Sequence, residues 1–237
     1  MKFITIPCNG DQNPLQDLCP TLMPNQSIFI NGHFCKAPTT VLASDFKSSK
    51  LNEAGDTDNY VGSSVNLLTA EVFSGLNTQG LSIARIDYSI YGMVTPHVHP
   101  RASEMLYVID GIIIAGFVAK NKVFQQILKQ GDVFVYPRGL LHFSVNAGFG
   151  PATSISVFNC QNPGVVSFSD GIFMSDSGLL ERVVRRSFGL SALEIGHARN
   201  VTRGRLSGTR NLQFSEVALA LVALSQEAKL RVCKISS

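Results

Sequence analysis

The sequence is constrained most by three histidines and a glutamate that lie in two segments punctuated by glycine and proline. His97 and His99 are separated by one residue, and Glu104 follows five positions later. Because side chains alternate across a β-strand, His97 and His99 point to the same face and could bind one ion together. A bend at Pro100 would let Glu104 rejoin that face. His142 lies in the second segment and must come from a different strand.

His97, His99, Glu104 and His142, hereafter the histidine/glutamate cluster, form a donor set that is typical of a catalytic metal site. Three imidazoles and one carboxylate without a thiolate suit Mn or Fe and leave positions open for a small ligand. Cu or Zn would bind such donors more tightly at equilibrium. A His-x-His pair alone is more often a surface pair or a hydrogen-bonded core pair. The metal interpretation gains weight because three of the five histidines fall in these two segments.

The composition is that of one compact domain. The chain has 237 residues, of which 45% are hydrophobic and 16% are charged, so that it can bury a substantial core. We expect no membrane span, because no apolar run reaches the roughly 18 residues that a spanning helix needs. The net charge of +3 is too small to indicate nucleic-acid binding. The positive excess lies in residues 176–237, with 10 Lys and Arg against 5 Asp and Glu.

Short β-rich runs come first along the chain and helical patterns come last. Runs of four to eight residues between 81 and 158 are separated by Gly, Pro, Asn and Asp, as in a sandwich or barrel of antiparallel strands. From Gly178 the hydrophobic period becomes helical. Ser191 and Glu194 then have the spacing of a capping box for a second helix. We predict an all-β domain over 14–175 and a helical segment over 176–198, to which the family resemblance given below adds a role in oligomerisation.

Both segments resemble the two motifs of the cupin superfamily, and the residues around them resemble those of the plant germins and germin-like proteins. The similarity to the first germin motif runs from Pro96 to Glu104, and that to the second runs from Gly131 to Phe143. Further matches lie at 14–19, 31–36, 75–82 and 161–164. The resemblance implies a cupin jelly-roll, a double-stranded β-helix barrel with C-terminal helices, whose interior holds manganese at the histidine/glutamate cluster.

The resemblance also implies an activity, because superoxide dismutation and oxalate oxidation are both described for the germin family. Oxalate oxidases of the family place two asparagines beside the metal, and the matching positions here are Ala84 and Val94. Neither side chain can donate a hydrogen bond, which would cost bound oxalate about 1–3 kcal/mol for each unmet group. We therefore rank superoxide dismutase above oxalate oxidase, with the four residues of the cluster as catalytic metal ligands.

Two alternatives without turnover stay open from the sequence. One is a binding protein similar to auxin-binding proteins, in which the metal holds the carboxylate of a small ligand. The other is a structural wall or storage glycoprotein, in which the metal only stiffens the barrel. An open coordination position weighs against the structural role, because a structural ion is usually enclosed by protein ligands.

The cysteines and one sequon bear on compartment and assembly. The resemblance pairs Cys19 with Cys35 as a disulfide, which implies an oxidising, extracellular location such as the apoplast or cell wall. Asn25 lies between them in a glycosylation sequon, and Cys160, on an apolar strand, is expected to be a free packed thiol. The family also implies a homohexamer, a trimer of dimers clasped by the C-terminal helices.

Both ends of the chain depart from the germin-like pattern. Residues 1–13 form a leader whose apolar stretch is shorter than the roughly 7–15 residues that a complete signal peptide needs. Residues 199–237 extend beyond the point where family members stop, as a basic tail of unknown role. We expect both ends to pack little against the barrel.

Overall fold

Two five-stranded antiparallel sheets pack against each other in the computed structural model, which describes residues 20–22, 29–30, 33–174 and 177–202. The described strands are β1 (Thr21–Leu22), β2 (Phe29–Ile30), β3 (His33–Cys35), β4 (Ser63–Leu68), β5 (Ser82–Tyr88), β6 (Met93–Val98), β7 (Glu104–Asp110), β8 (Ile112–Ala119), β9 (Lys122–Lys129), β10 (Val133–Tyr136), β11 (His142–Asn146), β12 (Ala152–Phe158) and β13 (Val166–Ser167). The described helices are α1 (Phe168–Phe173), α2 (Gly178–Phe188) and α3 (Ala192–Thr202).

The strand order confirms the predicted all-β jelly-roll of the cupin type. One sheet has the order β10-β7-β12-β5-β4 and the other has the order β13-β6-β11-β8-β9, while β1, β3 and β2 form a small third sheet. Strands that are distant in the sequence therefore become neighbours. In particular, β11 lies between β6 and β8, and β12 lies between β5 and β7.

Side chains from the two large sheets meet in the interior, as the period of two in the strands predicts. Strand β12 is central to its sheet, and its alternate residues are buried while those between them are half-buried. Inward positions of β12 carry serine as well as apolar residues, so the interior is partly polar. The main hydrophobic cluster contains Ile86, Tyr88, Leu106, Val108, Ile113, Ala115, Leu128, Tyr136 and Ala152.

The turn between β7 and β8 requires glycine. Gly111 has a φ of 89°, in the left-handed region that side chains disfavour. A Cβ at this position would lie 2.5 Å from the Cβ of Ala152, on the neighbouring strand β12. The glycine therefore lets β7 turn directly into β8 and keeps Glu104, at the other end of β7, in the register that the site needs.

The C-terminal helices follow the predicted capping signals. Ser177 caps α2 by accepting a hydrogen bond from the amide of Leu180, and Gly189 ends the helix in the left-handed conformation. The predicted capping box before α3 is confirmed. The Glu194 carboxylate accepts a hydrogen bond from the amide of Ser191 at 2.7 Å, and the Ser191 hydroxyl accepts one from the amide of Glu194 at 3.2 Å. None of the helices in the described ranges is long and apolar enough to cross a membrane.

The first residues of the predicted basic tail belong to α3 rather than to a loose extension. Arg199 donates hydrogen bonds to the carbonyl of Phe173 at 2.9 Å and to the carboxylate of Glu181 at 3.1 Å. These contacts tie α3 to α1 and α2, so the helical segment continues past 198 to Thr202. The rest of the tail and the leader at 1–13 lie outside the described residues.

Two cysteines lie in the described residues, and one of them differs from what the sequence predicted. Cys35 is buried in β3 and is disulfide-bonded. Cys160 is also buried and disulfide-bonded, so the expectation of a free thiol at this position is wrong. The predicted pairing of Cys35 with Cys19 stays a prediction, because Cys19 lies outside the described residues, as does the sequon at Asn25.

Candidate metal centre

The four residues of the histidine/glutamate cluster come from the ends of three strands. His97 lies in β6 and His99 follows one residue after that strand ends at Val98. Glu104 is the first residue of β7, and His142 is the first residue of β11. Because β11 pairs with β6, His142 lies directly opposite His97 in the ladder. The topology thus brings together two histidines that are far apart in the sequence.

The structure brings all four side chains to one point. Each residue offers one ligand atom, and these atoms all lie within 4.8 Å of one another. The Oε2 atom of Glu104 lies 3.1 Å from Nε2 of His142 and 3.2 Å from Nε2 of His99. These three side chains are buried, whereas His97 is half-buried at the side of the cavity. The arrangement has the spacing of a metal site rather than of a surface histidine pair.

Backbone carbonyls fix the orientation of each imidazole. The Nδ1 atom of every histidine in the cluster lies within hydrogen-bond distance of a carbonyl oxygen, which can only accept. Nδ1 must therefore carry the proton, and the Nε2 lone pair is left for an ion. The three pairs are His97 with Thr95 at 2.8 Å, His99 with Gly164 at 2.5 Å and His142 with Leu140 at 2.8 Å.

Glu104 is held as a buried carboxylate. Burial alone would raise the pKa of Glu104, but His142 and His99, when protonated, donate hydrogen bonds from Nε2 to the carboxylate and carry positive charge, and these effects outweigh burial. The pKa of Glu104 is consequently well below its usual range. In addition, the Ser156 hydroxyl donates to Oε1 of Glu104 at 2.5 Å. The site therefore contains a permanent negative charge at neutral pH.

His97 stays neutral over a wide pH range. Burial, followed by the repulsion of a proton on His142, lowers the pKa of His97 to about 4. A neutral imidazole is the form that binds metal, so no proton has to leave this ring at neutral pH.

The shifted pKa of His97 predicts an acid-sensitive metal-free protein. Between pH 6.5, the ordinary pKa of histidine, and about pH 4, the pKa of His97 in the folded protein, His97 is protonated in the unfolded chain and neutral in the folded chain. Stability should therefore fall with falling pH, by about 3 kcal/mol over that range. Urea unfolding of the metal-free protein at pH 7.5 and pH 4.5 measures this loss. His97→Gln should flatten the dependence, and an equal slope in that variant would contradict the assignment.

The donor chemistry fits a divalent transition metal. Three neutral imidazole nitrogens and one ionised carboxylate face one another, and each imidazole is already oriented by a carbonyl. Four donors with one position left open are typical of a catalytic metal site. Each imidazole already has the tautomer that metal binding requires, because its Nδ1–H bonds a carbonyl and its Nε2 is free of a proton. His97, His99, Glu104 and His142 would hold the ion, and imidazole with carboxylate suits Mn or Fe.

A cavity of about 760 Å³ opens onto the cluster. Its wall is mainly apolar, and it includes Ala84 and Val94. The polar side chains of Ser167, Ser169 and Asp170, at and beside α1, also line it. A small anion could therefore reach the cluster, although no amide side chain is present at positions 84 and 94 to hold it.

Two tyrosines pack beneath the cluster as neutral phenols. Burial raises the pKa of Tyr88 to about 12 despite hydrogen bonds from serine, and its hydroxyl lies 2.8 Å from that of Ser144. Burial also raises the pKa of Tyr136 well above its ordinary value. The Tyr136 ring lies against that of His142, with centroids 4.6 Å apart. The Tyr136 ring therefore limits the movement of His142.

Two residues that hydrogen-bond to the cluster were not predicted from the sequence. Gly164 supplies the carbonyl for His99, and Ser156 supplies the hydroxyl for Glu104. Gly164 lies in the matched stretch at 161–164, so the sequence carried a signal without indicating a role. Ser156 carried no signal, because an isolated serine in a strand gains its partner only from the register of neighbouring strands.

The sequence profile of the cupin family, described as Cupin, matches residues 49–195. "Germin-like protein 11-1" of Oryza sativa subsp. japonica is 53% identical over 179 residues, which cover 75% of this chain and 81% of that protein. "Germin-like protein subfamily 3 member 4" of Arabidopsis thaliana is 56% identical over 169 residues, covering 70% of this chain and 80% of that protein.

A solved structure with the same fold is "Recombinant oxalate oxidase in complex with glycolate". It is 34% identical in sequence and has a TM-score of 0.74. The match covers 80% of this chain and 96% of that one.

Proposed function

The chain belongs to the germin-like proteins of the cupin family, and on that premise we propose that it is a superoxide dismutase with manganese at the histidine/glutamate cluster. The convergence of four oriented donors at the end of an open cavity is the observation that carries the proposal. When bound, manganese would supply one-electron redox chemistry.

The side chains of the cluster would do three things for this reaction. Their carbonyl-anchored rings hold the donor geometry, so little reorganisation accompanies binding. Glu104 supplies the only anionic protein ligand, so a divalent ion at the site keeps a net positive charge that attracts an anion. Buried Tyr88 and Tyr136 remain protonated and add no further negative charge.

The apolar cavity wall favours superoxide over oxalate. Ala84 is fully buried and Val94 packs against the hydrophobic core, so neither position offers oxalate a hydrogen-bond donor. Oxalate carries four oxygen atoms and two charges, and each group left without a partner would cost about 1–3 kcal/mol. Superoxide needs access, an open coordination position and a source of protons.

Reconstitution with different metals tests the manganese assignment. The metal-free protein is loaded separately with Mn, Fe, Cu or Zn, the content is measured, and each form is assayed for superoxide dismutation. We expect activity in the manganese form and none in the zinc form, because zinc binds the same donors without redox chemistry. Activity confined to the iron or copper form would contradict manganese, and equal activity with zinc would contradict dismutation by the bound metal.

We propose further that the protein is an extracellular, N-glycosylated homo-oligomer, a hexamer in the apoplast or cell wall. An exposed apolar sheet face supports an oligomer. Met105 and Tyr107 on β7 lie in register with Val135 and Val133 on β10, and all four side chains are 45–53% exposed. Contiguous apolar surface of this kind is typical of protein interfaces.

The oligomer proposal predicts a change in size when this face is made charged. Tyr107→Lys combined with Val133→Glu should shift the native mass toward the monomer, measured by light scattering on a sizing column. Gln126→Ala, at an exposed position of β9 in the other large sheet, is the control and should leave the mass unchanged. A wild-type protein that is monomeric at micromolar concentration would contradict the proposal.

A further inference from the structure

The two carboxylate oxygens of Glu104 have different surroundings. Oε2 faces the cluster, 3.1 Å from Nε2 of His142 and 3.2 Å from Nε2 of His99. Oε1 faces away from these rings and accepts the hydrogen bond of 2.5 Å from the Ser156 hydroxyl. One oxygen is therefore available to an ion, while the other is already bonded to the barrel.

Ser156 contacts Glu104 from the barrel interior rather than from the cavity. It lies on β12, which pairs with β7 so that Phe158 is opposite Glu104 and Ser156 is opposite Leu106. Its side chain is fully buried, and Ser156 is not among the described residues that line the cavity. A substrate in the cavity would meet Glu104 but not Ser156, so any effect of Ser156 on a substrate must pass through Glu104.

We propose that Ser156 is a positioning residue that restricts Glu104 to one metal bond, through Oε2, and so keeps a coordination position open for a small anion. Carboxylates bind metal ions through one oxygen or through both. With Oε1 bonded to Ser156, a second bond to the metal would require breaking a charge-assisted hydrogen bond. Among the described residues, no other donor is recorded at Oε1 to replace it. The inference rests on metal binding at the cluster, as in the proposed function.

Strand β12 provides a matched control. Ser154 lies two residues before Ser156, faces the same interior and is equally buried. Its hydroxyl lies 3.4 Å from that of Tyr88 rather than near Glu104. Ser154→Ala therefore removes one buried hydroxyl from the interior, as Ser156→Ala does, but it leaves the hydrogen bond to Oε1 of Glu104 in place.

The test uses azide as a small anionic probe of the open position. Wild type, Ser156→Ala, Ser156→Thr and Ser154→Ala are each saturated with manganese. Azide affinity is measured by optical or electron paramagnetic resonance titration, and the proton relaxation of solvent water reports coordinated water. Ser156→Ala should weaken azide binding by at least about tenfold, the lower range for outer-shell changes at metal sites, and should lower the water relaxation. Ser156→Thr, which keeps a hydroxyl, and Ser154→Ala should behave as wild type.

Unchanged azide affinity in Ser156→Ala at saturating manganese would overturn the inference, even if manganese itself bound more weakly. An equal loss in Ser154→Ala would also overturn it, because the effect would then be a general response of the strand. These readouts need no superoxide turnover. A wild-type protein that binds azide as expected but does not dismutate superoxide would refute the proposed activity and leave the role of Ser156 standing.

Discussion

His142→Ala is expected to abolish superoxide dismutation and to leave the protein unable to retain manganese. The substitution removes the ligand that β11 contributes, whose Nε2 lies 3.1 Å from Oε2 of Glu104. Changes in outer-shell partners alone typically cost metal sites 10–100-fold in affinity, so the loss of a ligand should exceed that range. Metal content after dialysis and dismutase activity are the two measurements.

His197→Ala is the control for this variant. His197 lies on an exposed position of α3, outside the cluster. Its removal should leave metal content and activity unchanged. If His142→Ala kept a full complement of manganese and normal turnover, the ligand assignment on β11 would be wrong.

Glu104→Gln is expected to weaken manganese binding about 100-fold or more and to remove most activity at ordinary manganese concentrations. The amide is similar in size but carries no charge, whereas Glu104 is ionised throughout the neutral range because its pKa lies well below normal. One amide orientation would also place an NH₂ group towards the imidazole nitrogens that must face the ion. Manganese titration of the metal-free variant measures the effect.

Glu181→Gln is a matched control on α2. Its carboxylate bonds Arg199 in a partly exposed pair and lies outside the cluster, so manganese affinity should not change.

The pH dependence of stability offers a second check on Glu104. The stability that ionised Glu104 contributes is present above its ordinary pKa of 4.5 and is lost below it. Acid unfolding of the metal-free Glu104→Gln variant should lack this component, and an unaltered acid profile would contradict the assignment.

The fold and the donor set were predictable because they depend on local patterns. Period-two strands and turn residues indicated the β-barrel, and the His97-x-His99 spacing placed two donors on one face. The structure adds a detail, since β6 ends at Val98 and His99 lies just beyond the strand. The direct pairing of His97 with His142 follows from the neighbouring positions of β6 and β11, which no local pattern in the sequence states.

What the sequence did not reveal depends on tertiary register. Ser156 and Gly164 reach their partners across 52 and 65 residues of chain. No local signal marks Ser156, and the matched stretch at 161–164 does not indicate a role for Gly164. Helix α1 has only six residues, too few for a helical period to be visible. The boundary placed at 198 missed the end of α3 because Arg199 is anchored by residues on α1 and α2. Each of these features is set by contacts between elements.

The central claim is that the histidine/glutamate cluster with manganese acts on superoxide in a cavity that carries Ala84 and Val94 beside the site. The most direct measurement assays one preparation of the wild-type protein, fully loaded with manganese, for both superoxide dismutation and oxalate oxidation. We predict superoxide turnover that disappears with the metal, and no significant oxalate oxidation, because Ala84 and Val94 offer the dianion no donor. Robust oxalate oxidation, or no turnover of superoxide by the fully loaded protein, would contradict the account.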